Sequence, residues 1–480
     1  MSNNKNILAK EGYLIHKKSN NELLTQIRND LTVSPVLTFN KNIRPEPFTV
    51  YLENKKYLCV PKYYGIKNFG HPPINKEVIG DTINIQFNAI LRPLQVNIIN
   101  DILPKIESSD GGLLCLGCGS GKTLIALYIA SILKVKTLVI VHKSFLLNQW
   151  KQRIEQFTDA NIGIIQQKKI DIEGKDIVIG MLQSIARDKY DPEVFRDFGF
   201  VIFDEAHHAP SKYFSRALPI IACKKTLSLS ATPNRVDKLE KVLFWYFGDI
   251  LYRAPMETIN NVLVKIIKYN ITHPNFKEYK QNYGLDINRP KTINKIVEID
   301  QRNDFIIDTL KDILNEPDRK VIILSDRIKH LNILKKKLED ISNVSCSFYI
   351  GGLKQKVLDV SEKAQVIFAS YSMASEALDI PELNTLIMVT PRKEVEQAVG
   401  RITRKIDHCV QPLIIDIVDQ LPTFVRQNCA RKKFYNKKGF IIKIIEVEEN
   451  KIINEVNGNF KNIDDLICND NVSDSNDFLD

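Results

Sequence analysis

Short apolar runs alternate with amphipathic stretches along most of the chain. In the first half the runs are Leu113–Leu116, Thr137–His142, Asp176–Gly180, Phe200–Phe203 and Thr226–Leu229. Their brevity and aliphatic content predict strands buried on both faces. Between them, Leu124–Leu133 contains neither Gly nor Pro, and Phe145–Phe157 places Leu146, Leu147, Trp150 and Ile154 on one helical face. A second block repeats the alternation. Val321–Ser325, Gln365–Ser370, Thr385–Thr390 and Pro412–Asp419 read as strands, and His330–Ile341 reads as a helix. Apolar strands alternating with helices form doubly wound, mostly parallel α/β sheets, so two such sheets are expected in tandem. Ligands of these sheets sit at the carboxyl ends of the strands.

The flanking segments divide the rest. Residues 1–80 are expected to form a small accessory domain, with a strand pair Phe48–Leu52 and Tyr57–Pro61 around the turn at 53–56. Residues 81–255 and 301–446 hold the two alternating blocks. Residues 256–300, Asn-rich and broken by Pro, read as a linker or insert. Residues 447–480 read as an acidic tail without stable structure.

Composition narrows the class. No apolar run reaches the roughly 18–20 residues of a membrane span, and Met1–Lys10 is too polar for a signal peptide. The eight cysteines are scattered, and only Cys115 and Cys118 lie close together. Without a second such pair they read as reduced thiols, which places the chain in a reducing, intracellular compartment. A formal net charge of +10 is compatible with a polyanionic partner. Two stretches interleave basic and aromatic residues. Lys55, Lys56, Tyr57, Lys62, Tyr63, Tyr64 and Lys67 form one; Arg426, Arg431, Lys432, Lys433, Phe434, Tyr435, Lys437, Lys438, Phe440 and Lys443 form the other. Each suits nucleic-acid contact by charge and stacking, and each equally suits a solvated basic face.

The candidate chemistry lies at the predicted strand ends. Leu116–Thr123 reads L-G-C-G-S-G-K-T between a strand and a helix. Gly117, Gly119 and Gly121 give the turn its freedom, and its N–H groups, those of Cys118 and Ser120 included, can cradle phosphate at a helix N-terminus. Lys122 would reach the β- and γ-phosphates, and Thr123 would offer its hydroxyl to Mg²⁺. The strict P-loop pattern fails, because Leu116 stands where a Gly is required. Upstream, Leu91-Arg92-Pro93-Leu94-Gln95 opens a helix, and Gln95 could read an adenine edge with Arg92 beside it. Val201–Phe203 runs into Asp204-Glu205-Ala206-His207. Adjacent carboxylates at a buried strand end are costly without a partner, and Mg²⁺–nucleotide is the natural one. Asp204 would hold the metal through water, and Glu205 would activate the attacking water. Ser230, Ala231 and Thr232 end the third strand and, with His207, could link the nucleotide site to moving parts. His208 has no assignable role. In the second block, Gln397, Arg401 and Arg404 recur on one helical face, where the arginines require an anion such as a γ-phosphate.

G-x-G-K-T, D-E-A-H and S-A-T-P-x-R in this order resemble a superfamily 2 helicase, over roughly residues 88–420. The finer motifs L-R-P-x-Q, C-G-x-G-K, L-L-x-Q-W and M-A-S-E-x-L-D-I-P resemble its DNA-directed branch, including phage branch-migration helicases and transcript-release helicases of large DNA viruses. The resemblance implies two RecA-like domains using ATP and Mg²⁺, with Arg401 and Arg404 as arginine fingers beside Gln397. It implies that Asp379 links nucleotide to the second domain, although Ala377 replaces the family's Gly nearby. It places strand contacts at Lys143, Ser144, Gln183, Ser184, Ser370 and Tyr371, and movement 3′→5′. DNA is favoured over RNA as partner, with transcription or replication proteins as further partners, a monomer by default, and host cytoplasm or virion as location. The rival readings are an RNA helicase, an ATP-switched annealing protein, and the translocating subunit of a restriction-type complex.

Overall fold

A computed structural model describes residues 6–18, 20–36, 45–117, 119–187, 190–231, 235, 237–255, 261–281, 286–376, 378, 380–403 and 410–458. The chain divides into two compact units, residues 1–255 and 256–480.

The first unit is built on an eight-stranded sheet. Its spatial order is Lys169–Asp171, Ile162–Gln166, Ile177–Met181, Thr137–Val141, Phe200–Phe203, Lys225–Ser230, Gly111–Cys115 and Ile250–Arg253. Every pairing is parallel except the hairpin between the first two. The central strands bury both faces, as their unbroken apolar runs require. Leu113, Leu138, Ile140, Val201 and Phe203 pack into one core layer. Leu114, Val139, Val141, Ile202 and Leu227 pack into the other. Helices Pro93–Ser109, Lys122–Leu133 and Ser144–Phe157 supply apolar faces, and Leu146, Leu147, Trp150 and Ile154 are buried together.

Among the described residues, the segment before the sheet forms seven short strands, five in one sheet and two in a separate pair, and two helices, Asn21–Asp30 and Lys62–Phe69. The expected strand pair is divided. Phe48–Thr49 pairs with Thr32–Val33, and Leu52–Glu53 pairs with Tyr57–Val60. Helix Lys62–Phe69 packs against helix Glu240–Phe247, with the Tyr64 ring edge-on to Trp245 at 5.6 Å. Lys62 Nζ is enclosed and bonded to Glu77 (2.6 Å), Asp110 (3.1 Å) and the Lys224 carbonyl (3.0 Å). The basic and aromatic residues Lys62, Tyr63 and Tyr64 therefore anchor this segment to the sheet and do not face a nucleic acid. Lys55, Lys56 and Lys67 of the same stretch are exposed.

The second unit has its own eight-stranded sheet. The order is Cys346–Tyr349, Val366–Ser370, Val321–Ser325, Thr385–Met388, Leu413–Asp419, Leu263–Asn270, Ile441–Glu448 and Lys451–Gly458. Two expectations are corrected. The stretch 256–300 is not simply a linker: Leu263–Asn270 lies inside the sheet, parallel to both neighbours, with Val264, Ile266 and Tyr269 buried. Nor does a tail begin at 447, because Lys451–Gly458 forms an antiparallel edge strand; residues 459–480 lie outside the described residues. Arg431 is also not a surface cation. It is 2% exposed and clasps Asp416, with Nε at 2.8 Å and Nη2 at 2.9 Å from the two carboxylate oxygens.

Candidate active site

Three neighbouring parallel strands bring the chemistry of the first unit together. Gly111–Cys115 pairs with Lys225–Ser230, which pairs with Phe200–Phe203. The cradle, Ser230 and Asp204 consequently emerge at one edge, and the Leu116 N–H donates to the Ser230 carbonyl at 3.2 Å.

In the cradle, Gly119 and Gly121 both take φ of +78°, a conformation open to Gly and strained for other residues. Gly117 does not: a Cβ there would meet nothing closer than 3.8 Å, so its φ demands no glycine. Helix Lys122–Leu133 starts at Gly121, which aims its first N–H groups into the turn. Lys122 Nζ donates to the Leu116 carbonyl at 2.9 Å. Thr123 is half-buried in the first helical turn. Ser120 Oγ donates to the Gly117 carbonyl at 3.0 Å. Cys118 lies outside the described residues. Gln95 departs from expectation. It is 2% exposed, its Oε1 accepts the Arg92 N–H at 2.8 Å, and its Nε2 donates to the Ser120 carbonyl at 3.4 Å. Both ends of the amide are engaged, so Gln95 braces the cradle in this structure. Arg92 is exposed at the helix cap.

Asp204 continues the sheet through its N–H, bonded to the Ile140 carbonyl at 3.0 Å. Its Oδ2 accepts the Trp150 indole N–H at 2.8 Å, and its Oδ1 accepts the Glu205 N–H at 3.0 Å. Burial, then the Glu205 carboxylate, push its pKa up to about 6, against the opposing pull of Trp150 and Lys122. Glu205 has φ of +47°, which turns its side chain off the strand direction. Its Oε2 is buried, lies 3.3 Å from His207 Nδ1 and makes no hydrogen bond. His207 Nδ1 also lies 3.3 Å from Ser230 Oγ, and its carbonyl accepts from Arg235 Nη1. Arg235 is fixed by Asp237 (2.8 and 2.5 Å). The His208 ring contacts those of His142 and His207, at centroid distances of 4.0 and 4.2 Å with the planes inclined by 37° and 42°. Ala231 is half-buried beyond the strand end, and Thr232 lies outside the described residues.

In the second unit, Gln397 is half-buried on helix Glu396–Ile402. Arg401 is 7% exposed, and its Nε donates to the Ala374 carbonyl at 2.8 Å. Arg404 and Asp379 lie outside the described residues.

The expected strand contacts divide. Lys143 and the exposed Ser144 begin helix Ser144–Phe157 at a strand end. Gln183 donates its amide to the His142 carbonyl, beside them. Ser370 and Ser372 hydroxyls lie 3.3 Å apart at another strand end. Two expectations fail. Ser184 is 4% exposed and accepts the Gln167 N–H, and Tyr371 is 2% exposed with its hydroxyl on the Thr390 carbonyl. Neither side chain faces a strand; both fix the loops that could.

Comparisons with known proteins decide the family. The profile of the type III restriction enzyme res subunit matches residues 88–235, and the helicase conserved C-terminal domain matches residues 304–406. A protein of Acanthamoeba polyphaga mimivirus, named an ATP-dependent RNA helicase, is 36% identical over 94% of this chain and 89% of its own length. The chain belongs to the superfamily 2 helicases. It is an ATP-dependent, ATP-hydrolysing helicase, and nucleic acid is its partner. A protein of African swine fever virus, also named an ATP-dependent RNA helicase, is 29% identical over 72% of the chain and 73% of its own length. In fold, the helicase is similar to a fragment of an HsdR subunit of a type I restriction enzyme from Vibrio vulnificus, at a TM-score of 0.53 and 15% identity over 77% of this chain and 71% of that one.

Sequence reading of this helicase missed the partners of Trp150 and Arg235 and the contacts of His208 with His142 and His207. Trp150 was legible only as a core residue, because its partner Asp204 is 54 positions away. Arg235 was visible as the last letter of S-A-T-P-x-R, but its hold on the His207 carbonyl was not.

Proposed function

We propose that this helicase couples ATP hydrolysis to 3′→5′ movement along DNA, in transcript release or branch migration. The observation that carries the reading is the convergence of the cradle, Asp204–Glu205, His207–Ser230 and the Lys143–Gln183 loops at one edge of one sheet. On this reading, the phosphate site and the strand-contact loops lie at the ends of neighbouring strands of one sheet.

The donor set suits Mg²⁺. Asp204 and Glu205 are neighbouring buried carboxylates, one oxygen of Glu205 is buried without a hydrogen bond, and no group of three or more metal-ligating side chains occurs among the described residues. That fits a hard cation shared with phosphates better than a protein cage. Asp204 and the Thr123 hydroxyl would hold it. When bound, Mg²⁺ neutralises charge on the β- and γ-phosphates. Lys122 turns from the Leu116 carbonyl to the phosphates. Glu205 orients the attacking water and accepts its proton. Arg401 and Arg404 would add cationic charge to the γ-phosphate as the transition state develops, and Gln397 would assist from the helix that carries Arg401. Lys143, Ser144, Gln183 and Ser370 grip the strand through its phosphates, so affinity falls with salt and sequence matters little.

DNA is preferred on the motif L-L-x-Q-W and its neighbours in the sequence. The names of the mimivirus and African swine fever virus relatives support the second reading, an RNA helicase. ATP turnover measured with single-stranded DNA, duplex DNA and RNA separates the two: stimulation by DNA alone supports the first, and stimulation by RNA alone replaces it with the second.

A further inference from the structure

The preceding mechanism gives no task to His208, the second histidine of the D-E-A-H-H run. Its ring contacts two others. The His142 centroid is 4.0 Å away with the planes inclined by 37°, and the His207 centroid is 4.2 Å away at 42°. These two rings belong to different parts of the site.

His142 closes the strand Thr137–Val141 and directly precedes Lys143 and Ser144. It is 4% exposed, and its carbonyl accepts the Gln183 amide. Two loops proposed to grip the strand thus meet at the backbone of His142. His207 sits at the other end. Its Nδ1 is 3.3 Å from Glu205 Oε2 and 3.3 Å from Ser230 Oγ, and Arg235 holds its carbonyl. Glu205 is the proposed water-activating residue. The His208 backbone closes the same short turn, with its N–H on the Glu205 carbonyl at 3.0 Å.

His208 contacts both other rings, and so joins the strand loops to the carboxylate through side chains. Flat rings at this spacing cannot slide independently, because close-packed groups shift together or repack as a set. A strand that pulls on Lys143 or Gln183 moves His142, and the His208 ring gives that displacement a side-chain route to His207. We propose that His208 is a positioning residue that transmits strand occupancy to Glu205, setting nucleic-acid stimulation of hydrolysis and not hydrolysis itself. The inference rests on the proposed strand loops and on Glu205 as the activating residue. It goes beyond the His207–Ser230 contact, which lies on the nucleotide side alone.

The test uses the full chain with three substitutions. His208→Ala removes the ring, His208→Leu fills its space without a stacking plane, and His208→Phe retains a flat ring. For each, kcat and KM for ATP are measured without nucleic acid and with saturating single-stranded DNA and RNA. Strand Kd is measured by fluorescence anisotropy. The inference predicts that Ala and Leu keep basal kcat, KM and strand Kd while stimulation falls by about 5- to 150-fold, the span of ordinary coupling between sites. Phe recovers most of the stimulation. Wild-type stimulation in both Ala and Leu overturns the inference, as does an equal drop in basal and stimulated turnover, or a loss that follows a weakened strand Kd. If Ala fails to fold, the contrast between Leu and Phe decides: equal stimulation of the two overturns the proposal. A wild-type chain stimulated by no nucleic acid overturns the proposed function, and this inference with it; a stimulated wild type beside normally stimulated variants overturns this inference alone.

Discussion

The indole N–H of Trp150 donates to Asp204 Oδ2 across 2.8 Å. Indole can only donate, so the bond favours the ionised carboxylate that a metal needs. Trp150 is itself 2% exposed among Leu146, Leu147 and Ile154, and the helix carrying it starts at the Lys143–Ser144 loop. Trp150→Phe keeps most of the packing and removes the donor. A hydrogen bond to a charged group contributes about 1.5–3 kcal/mol. ATP turnover should therefore fall, and the Mg²⁺ concentration giving half-maximal turnover should rise. An unchanged Mg²⁺ titration would show that Trp150 matters for packing alone.

Asp204, buried beside Glu205, destabilises the ligand-free fold where it is ionised. Burial and then Glu205 raise its pKa from 3.8 to about 6. The folded chain then holds a proton that the unfolded chain releases. Stability contributed by the protonated acid is present below the unfolded value, is lost as pH rises through the folded value, and stays lost above it. The whole effect is at most about 3 kcal/mol. Asp204→Asn should raise the melting temperature of the ligand-free first unit at pH 7.5, with the advantage shrinking toward pH 4–5, while abolishing ATP turnover. Equal melting of the two chains at pH 7.5 would contradict the raised pKa.

Gly121 is constrained twice. Its φ is +78°, and a Cβ would lie 2.1 Å from Gln95 Nε2. The left-handed conformation alone costs a non-glycine residue roughly 1–2 kcal/mol. Gly121→Ala should lower the melting temperature and abolish binding of a fluorescent ATP analogue. Adding Gln95→Ala clears the close contact but not the φ, so the double variant should recover part of the lost stability. Full recovery would mean that the φ carries no strain; no recovery would mean that Gln95 is not the obstacle.

Arg431 separates stability from nucleic-acid binding in the basic stretch of the second unit. Removing one member of a buried ion pair costs roughly 3–5 kcal/mol, so Arg431→Met should lower the melting temperature steeply. Lys433 is exposed on the same helix. Lys433→Ala should leave melting unchanged, and any contribution to strand binding should appear as a shallower dependence of Kd on salt. A stable Arg431→Met chain would undo the structural reading of that pair.

What the sequence disclosed follows from range. Both sheets were legible because strands buried on two faces need unbroken apolar runs, as in Phe200–Phe203 and Val321–Ser325. Leu263–Asn270 escaped because Lys265 and Lys268, half-buried within it, interrupt the run. Lys451–Gly458 escaped because an edge strand needs no apolar face turned inward, and Ile452 and Ile453 remain exposed. At the site, Lys122, Thr123, Asp204 and Glu205 were readable from local motifs. The engagement of Gln95 by Arg92 and Ser120, the clasp of Arg431 on Asp416, and the contact of the His142 and His208 rings depend on side chains that only folding brings together.

The most direct measurement is steady-state ATP turnover of the wild-type chain and of Glu205→Gln, each without nucleic acid and with single-stranded DNA, alongside nucleotide binding. Wild-type turnover should rise with the strand, while Glu205→Gln should bind nucleotide normally and hydrolyse almost none with or without it. Hydrolysis by Glu205→Gln at the wild-type rate would contradict the assignment of Glu205, and with it the path from strand loops to chemistry.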